Sequence, residues 1–360
     1  MRHNTFPITK SKTPLSSFVE KWLWAVISLI LITLVKLIPG WGDAYTFHVY
    51  PSIVRILSTY SNLVPFAVGD LFIAGSIAWV IIYPIYSIAY KHRAKKAIFS
   101  RVVWYLLLVY VWFYAAWGLN YSQSSIYRRL NMPPAKVSAV AFRDFAYRYA
   151  DSLNAAYTAT TTDKQTAMRQ ILHGYNHIDS RTMGINYPFT IDPRPKTMVF
   201  SRLSSMARVT GSMGPFFSEF TLNADIRPHD YPATCAHEFA HFLGIANEGE
   251  ANFYSYIVCT SSANRAVRFS GYYHIFFYML RNVEDLLGEK EYEAFVKHIR
   301  PEILSLARSD REYWLSRRST VIDETQNFFY NLYLKGNRVE GGMKSYSGVI
   351  GIIMAWEKRR

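Results

Sequence analysis

The chain has 360 residues; half are hydrophobic, 16% are aromatic and only 18% are charged, with a formal net charge of +14. A soluble protein typically has about 25% charged residues, so this composition favours a membrane protein. No nucleic-acid-binding module is recognisable. We therefore expect the basic charge to face a membrane surface, with the lipid bilayer and no nucleic acid as a partner.

Three N-terminal segments have the length and composition of transmembrane helices. The stretches 71–90 and 102–122 contain no charged residue, and 22–35 is apolar up to Lys36, which can snorkel to the interface. About 20 apolar residues are enough to cross roughly 30 Å of hydrocarbon. Because the first segment lacks a signal-peptide cleavage motif, we interpret it as an uncleaved anchor. The predicted spans are 21–39, 68–90 and 102–122.

The distribution of basic residues predicts how these spans are oriented. The loop 91–101 has five Lys or Arg residues, whereas the connection 40–67 has one. Basic loops stay in the cytoplasm, so we predict a cytoplasmic tail at 1–20 and a cytoplasmic loop at 91–101. The loop 40–67 and the whole of 123–360 then lie outside the cytoplasm.

Residues 123–360 are predicted to form one mainly helical α+β domain with a small sheet. Strands are expected at 195–200 and 216–223, and two helices at 231–243 and 248–262, separated by Gly244. The other predicted helices are 136–157, 163–177, 268–285, 289–299, 302–315, 321–335 and 345–356.

The most informative motif is HEFAH, residues 237–241. His237 and His241 are four residues apart, so on a helix they lie on one face and can bind a single metal ion. Glu238 lies about 100° round that helix from His237. Its carboxylate is then beside the metal, where it can accept a proton from water.

The sequence also offers a third ligand. Gly244 can end the first helix with a positive φ, and Asn247 is a good N-cap for the second. Glu248 then lies in the first turn of the second helix, and Asn252, one turn later, can accept from the free ring N–H of a ligating histidine. Glu250 is the alternative third ligand, but it points about 200° away from Glu248.

HEFAH together with EGEAN at 248–252 resembles the zincin superfamily of metallopeptidases, and in particular its gluzincin branch. The six-residue gap between His241 and Glu248 is shorter than in most gluzincins. The chain is also similar to a family of uncharacterised bacterial membrane proteins, through TLNAD at 221–225, the H-E-x-A-H helix and the C-terminal stretch 333–350. The resemblance implies a zincin-like domain, Zn²⁺ as the cofactor and the bacterial inner membrane as the location.

The same resemblance extends to substrate binding. Zincins bind a peptide along an edge strand beside the metal helix, and the strand 217–223 is the expected one. An oxyanion forming on the scissile carbonyl needs a hydrogen-bond donor, for which Tyr346 is our first choice and His274 the second.

We therefore predict a membrane-anchored zinc metallopeptidase that hydrolyses peptide bonds outside the cytoplasm. His237, His241 and Glu248 would bind the metal, with Glu238 as the general base. The alternative is a membrane sensor, receptor or binding module with a zinc site but no turnover. Cys235 and Cys259 either form a disulfide or are buried as small hydrophobic residues.

Overall fold

Long apolar helices form the N-terminal part of the chain. The structure is a computed structural model, which describes residues 14–134, 138–178, 183–185, 194–337 and 348–359. These helices are α1 (Pro14–Leu37), α4 (Val68–Ala89) and α5 (Lys95–Ala116). Helices α4 and α5 are each long and apolar enough to cross a membrane. The third candidate is a bent pair, Trp22–Leu37 with Trp41–Ser61, at an angle of 112°. The described part of the chain therefore has two helices that could cross a membrane, or three candidate spans if the bent pair is one span.

The connection between α1 and α4 is helical. It contains α2 (Trp41–Ala44), a π-helical turn (Tyr45–Val49) and α3 (Tyr50–Ser61). Helix α3 buries positions spaced by three or four residues, beginning with Tyr50 and Val54. These side chains belong to the same hydrophobic core as the domain that follows. The sequence predicted only a loop here, because charge counting determines the side of the membrane and not the local structure.

The rest of the chain is mainly helical, as predicted. After α5 comes a 3-10 turn (Gly118–Ser122). The helices before the sheet are α6 (Ile126–Arg129), α7 (Ala139–Ala156) and α8 (Lys164–His177), and α9 (Ser201–Met206) lies between its first and second strands. Those after the sheet are α10 (Tyr231–Phe242), α11 (Glu248–Thr260), α12 (Arg265–Leu287), α13 (Glu289–His298), α14 (Pro301–Arg317), α15 (Thr320–Gly336) and α16 (Val349–Arg359).

A three-stranded sheet lies beside α10. Its strands are β1 (Lys196–Thr197), β2 (Gly211–Gly214) and β3 (Glu219–Leu222), in the order β1-β3-β2. Strand β3 pairs in parallel with β1 and antiparallel with β2. The prediction that 217–223 is a substrate-binding edge strand is wrong, because β3 is paired on both sides. The edge next to α10 is β2, whose sequence, GSMG, has few of the residues typical of strands.

The sheet is joined directly to the start of α4. The Glu219 carboxylate of β3 accepts hydrogen bonds from the backbone N–H groups of Val68, at 3.2 Å, and Gly69, at 2.8 Å. The same carboxylate is 2.5 Å from the ammonium group of Lys196, and both side chains are buried. Free N–H groups at a helix N-terminus favour a carboxylate, so Glu219 caps α4.

Cys235 and Cys259 are both buried and both free. Of the two alternatives left open by the sequence, the structure has the one in which they pack as small hydrophobic residues. Burial raises the pKa of both thiols, so both stay protonated at neutral pH.

Candidate metal centre

Three predicted ligands converge where α10 meets α11. His237 Nε2 lies 3.1 Å and His241 Nε2 lies 3.2 Å from Glu248 Oε2, and the two Nε2 atoms are 3.0 Å apart. All three side chains are buried. Adjacent ligand atoms of a tetrahedral zinc centre, with bonds of about 2.0–2.1 Å, are about 3.3 Å apart. The donor atoms are therefore spaced as a small divalent cation requires.

The turn between the two helices brings Glu248 into place. Gly244 has φ +92°, and α10 ends at Phe242 just before it. The Asn247 side chain caps α11 by accepting a hydrogen bond from Glu250 N at 3.1 Å. Both local features were predicted from the sequence, and both are confirmed.

Hydrogen bonding also orients the ligands. His241 Nδ1 lies 2.6 Å from the carbonyl oxygen of Ile245, which can only accept, so Nδ1 carries the proton and Nε2 faces the centre. Glu248 uses its other oxygen, Oε1, to accept from the Tyr330 hydroxyl at 2.5 Å. Oε2 therefore remains directed at the two imidazoles.

The charges within this cluster are strongly coupled. Burial alone would lower the pKa of His241, but the Glu248 carboxylate reverses the effect and raises it to about 9. Burial would raise the pKa of Glu248, yet the two imidazoles hold it well below its usual range. The pocket thus favours an ionised carboxylate facing a positive charge. A divalent cation satisfies that requirement when both imidazoles are neutral.

Glu250 does not reach the centre. Its carboxylate accepts from Ile126 N at 2.8 Å and forms a buried ion pair with Arg129 at 2.6 Å. The alternative third ligand therefore has a structural role, in joining α11 to α6.

Glu238 lies beside the donors, against β2. A Cβ added at Gly211 would lie 2.6 Å from Glu238 Cγ, so only glycine leaves room there for this carboxylate. Burial raises the pKa of Glu238, while the two histidines oppose the change. Among the described residues, Glu238 Oε2 has no hydrogen-bond partner.

Asn252 and His274 pair with each other. Asn252 Oδ1 lies 3.0 Å from His274 Nε2, so the prediction that Asn252 orients a ligating histidine is wrong. The reason is that Asn252, one turn into α11, faces α12. Burial, aided by His237, lowers the pKa of His274 to about 3 and keeps its ring neutral. The other predicted oxyanion donor, Tyr346, lies outside the described residues.

The centre opens into a cleft of about 1040 Å³. One wall is the edge of the sheet, including Gly211, and another is α12 with His274. Aromatic side chains complete the cleft from the end of α5 and the 3-10 turn after it, from the loop between β2 and β3, from α12 and from α15. They are Phe113, Trp117, Tyr121, Phe216, Tyr278, Tyr330 and Tyr333.

Sequence reasoning missed two residues next to the centre, Gly211 and Tyr330. Tyr330 is 82 positions from Glu248 and is one of 27 tyrosines, so no local signal distinguishes it. Gly211 belongs to a strand that was not predicted. Its part in the site is visible only once β2 lies against α10.

A second group of potential ligands lies at the start of α10. His229, Asp230 and Asp310 are within ligand distance of one another. However, Asp310 already pairs with the Arg227 guanidinium at 2.6 Å and accepts from the Tyr273 hydroxyl at 2.5 Å. We interpret this cluster as the attachment of α10 to α12 and α14.

A comparison with known protein families identifies the family to which the chain belongs. A family model described as "protein of unknown function (DUF3810)" matches residues 45–354. The chain belongs to this family. The match extends from the π-helical turn to α16, so it includes the apolar helices α4 and α5 as well as the centre. A search of curated proteins and a search of solved structures each returned no match.

Proposed function

We propose that the protein is a membrane-anchored, zinc-dependent metallopeptidase that hydrolyses peptide bonds outside the cytoplasm, in a bacterial inner membrane. The observation that carries the proposal is the convergence of His237, His241 and Glu248 beside the free carboxylate of Glu238, at the bottom of an open cleft. Two imidazoles and one carboxylate are the protein ligands of many catalytic zinc sites.

A zinc ion held by these three residues would polarise the scissile carbonyl and make a water molecule acidic near neutral pH. Glu238 accepts one proton from the attacking water, whose oxygen bonds to the carbonyl carbon. The carboxylic acid then donates that proton to the amide nitrogen as the C–N bond breaks. The products are an amine and a carboxylic acid, which releases its own proton to solvent at neutral pH, and the Glu238 carboxylate is regenerated.

Strand β2 supports a peptide as the substrate. It is the edge of the described sheet, and Gly211 and Ser212 line the cleft beside Glu238. An extended peptide can add to such an edge through main-chain hydrogen bonds. The oxyanion donor stays a prediction at Tyr346. Among the described residues His274 also lines the cleft, but the single N–H of its neutral ring is directed at Asn252 Oδ1.

The orientation follows from the charge of the loops. With 91–101 in the cytoplasm, α5 leads out of it, and the centre, which lies beyond the C-terminal end of α5, faces the exterior.

The test uses the full chain in lipid nanodiscs, with Glu238→Gln as the variant and Glu289→Gln, an exposed glutamate on α13, as its matched control. We expect about one zinc ion per chain in all three proteins. Cleavage of a mixed peptide library should disappear only in Glu238→Gln. Bound zinc without cleavage by any of them would favour the sensor or binding module. A folded protein without metal would show that the centre is misassigned.

A further inference from the structure

Helix α15 has three of its large apolar side chains on the outside. Phe328, Phe329 and Leu332 are 66%, 61% and 60% exposed, and they lie on one face of the helix, as their spacing requires. Two polar residues of the same helix face inward: Asp323 is buried, and Tyr330 bonds to Glu248.

This arrangement is the reverse of that of a helix on a soluble domain. Leaving a side chain of this size in water forgoes about 1.5–3 kcal/mol. Contiguous exposed apolar residues usually mark a contact surface. On an amphipathic helix, such a face fits the boundary between the headgroups and the acyl chains of a bilayer.

The position of α15 identifies the bilayer as the occupant. Just past the C-terminal end of α15, Asn337 Oδ1 accepts from the Tyr114 hydroxyl at 2.8 Å, and the Tyr333 ring lies 5.9 Å from that of Phe113. Phe113 and Tyr114 are in the last turn of the spanning helix α5. Phe329 is only one turn before Tyr333, so the apolar face of α15 lies close to the level at which α5 leaves the hydrocarbon.

A second exposed apolar patch lies at the other spanning helix. Val199, Phe200 and Leu203 are all exposed, and Val199 N donates at 2.8 Å to Asp70 in the first turn of α4. This segment is joined to α15, because Ser319 N, at the start of α15, donates to Met206 O at 3.0 Å. The two patches therefore adjoin the ends of α4 and α5 that lie on the same side of the membrane.

The cleft lies between these elements. Tyr330 and Tyr333 of α15 line one side of it, and Phe113 and Trp117 of the α5 end line another. If the outer face of α15 is in the bilayer, the opening of the cleft is at the bilayer surface.

We propose that α15 inserts Phe328, Phe329 and Leu332 into the outer leaflet, and that the cleft takes juxtamembrane segments of membrane-tethered proteins as its substrates. The insertion rests on the fold and on α5 as a membrane span, whereas the substrate class rests on the proposed peptidase function. A tethered peptide is held near the opening at a high effective concentration, which a freely diffusing peptide lacks.

Insertion is tested by fluorescence on the full chain, with one copy in each nanodisc of phosphatidylethanolamine and phosphatidylglycerol. An environment-sensitive dye is attached at Phe328→Cys and, as the control, at Val140→Cys, which replaces a 63% exposed residue on α7; the two native cysteines are buried. We expect blue-shifted emission that nitroxide-labelled lipids quench at position 328 only. Equal, unquenched emission at both positions would overturn the insertion. A blue shift that appears only with two copies in each disc would overturn it too, by showing a contact between chains.

The substrate class is tested with one cleavable peptide, supplied either free or coupled to a lipid anchor. The double variant Phe328→Glu with Phe329→Glu is compared with Val140→Glu, and zinc content is measured to show that the centre is intact. We expect about tenfold slower cleavage of the anchored peptide by the double variant, and less than about twofold change for the free peptide. If the double variant cleaved both peptides more slowly to the same extent, or neither peptide more slowly, the assigned substrate class would be overturned. If the unmodified protein cleaves neither peptide, the peptidase function fails together with the substrate class, while the quenching result still decides the insertion.

Discussion

The metal donors and the walls of the cleft are built in different ways. His237, His241 and Glu248 lie within twelve consecutive residues. They are brought together by the short turn that follows α10 and contains Gly244. The walls come from β2, the end of α5, α12 and α15, and the bond from Tyr330 to Glu248 joins residues 82 positions apart. Local geometry therefore supplies the donors and orients His241, whereas long-range packing orients Glu248 and determines what reaches the donors. The following predictions test that division.

The largest effect is expected at Gly211, the residue of β2 that lies against the side chain of the predicted general base, Glu238. In Gly211→Ala the new methyl group would collide with the Glu238 side chain and displace its carboxylate from the centre. We expect a loss of about 10²–10⁴-fold in peptide cleavage, the usual contribution of a general base, with zinc content unchanged. The control is Gly336→Ala on α15, where an added Cβ meets nothing within 4 Å. Full activity in Gly211→Ala would mean that the wall does not position Glu238.

A smaller effect is expected at Tyr330, which bonds to a donor from across the cleft. Tyr330→Phe removes the hydroxyl that binds Glu248 Oε1 and lets the carboxylate rotate. Loss of such an outer-shell partner typically weakens metal binding by about 10–100-fold. Zinc affinity, measured by competition with a chelator, would show it. Tyr60→Phe, at a 69% exposed tyrosine on α3, should match the unmodified protein. If the zinc affinity of Tyr330→Phe were unchanged, α10 and α11 alone would be enough to orient the donors.

The smallest effect concerns Asp230, at the start of α10. Burial raises its pKa to about 6 from an ordinary 3.8, with a further contribution from Asp310 against the pull of His229 and Arg227. Because the folded-state pKa is the higher one, this group stabilises the fold below pH 3.8, and that contribution is lost as the pH rises through 6. Asp230→Asn should therefore unfold about 2 °C higher at pH 7.5 and at the same temperature as the unmodified protein at pH 4, by thermal unfolding in detergent. A lower midpoint at pH 7.5 would show that the charged carboxylate is the stabilising form.

The division also explains how much the sequence could predict. The period of apolar residues predicted most of the helices, and the spacing of His237 and His241, together with the cap at Asn247, predicted the three donors that the structure brings together. The role of Asn252 was wrong, because its direction depends on where α12 packs. The strand 217–223 was placed at an edge because β2, rich in glycine, has almost no strand signal of its own. Tyr330 could not be found from local pattern at all, since only the packing of α15 brings it to Glu248.

The bond between Glu219 and the start of α4 links the formation of the centre to membrane insertion. A fragment beginning at residue 123 would keep Lys196 and Glu219 but lose the N–H groups of Val68 and Gly69. It would also lose Tyr50, whose hydroxyl donates to Phe242 O at the end of the metal helix. Lys196 and Glu219 would keep their ion pair, but the backbone groups of Ser61, Phe66, Val68 and Gly69 that also bond to these two side chains would be gone. Each buried polar group left without a partner costs about 1–3 kcal/mol. During synthesis, the sheet and α10 thus acquire their full set of contacts only after α4 is in place. A chain that fails to enter the bilayer would then lack an assembled centre, and the proposed hydrolysis would be confined to the membrane without a separate inhibitor.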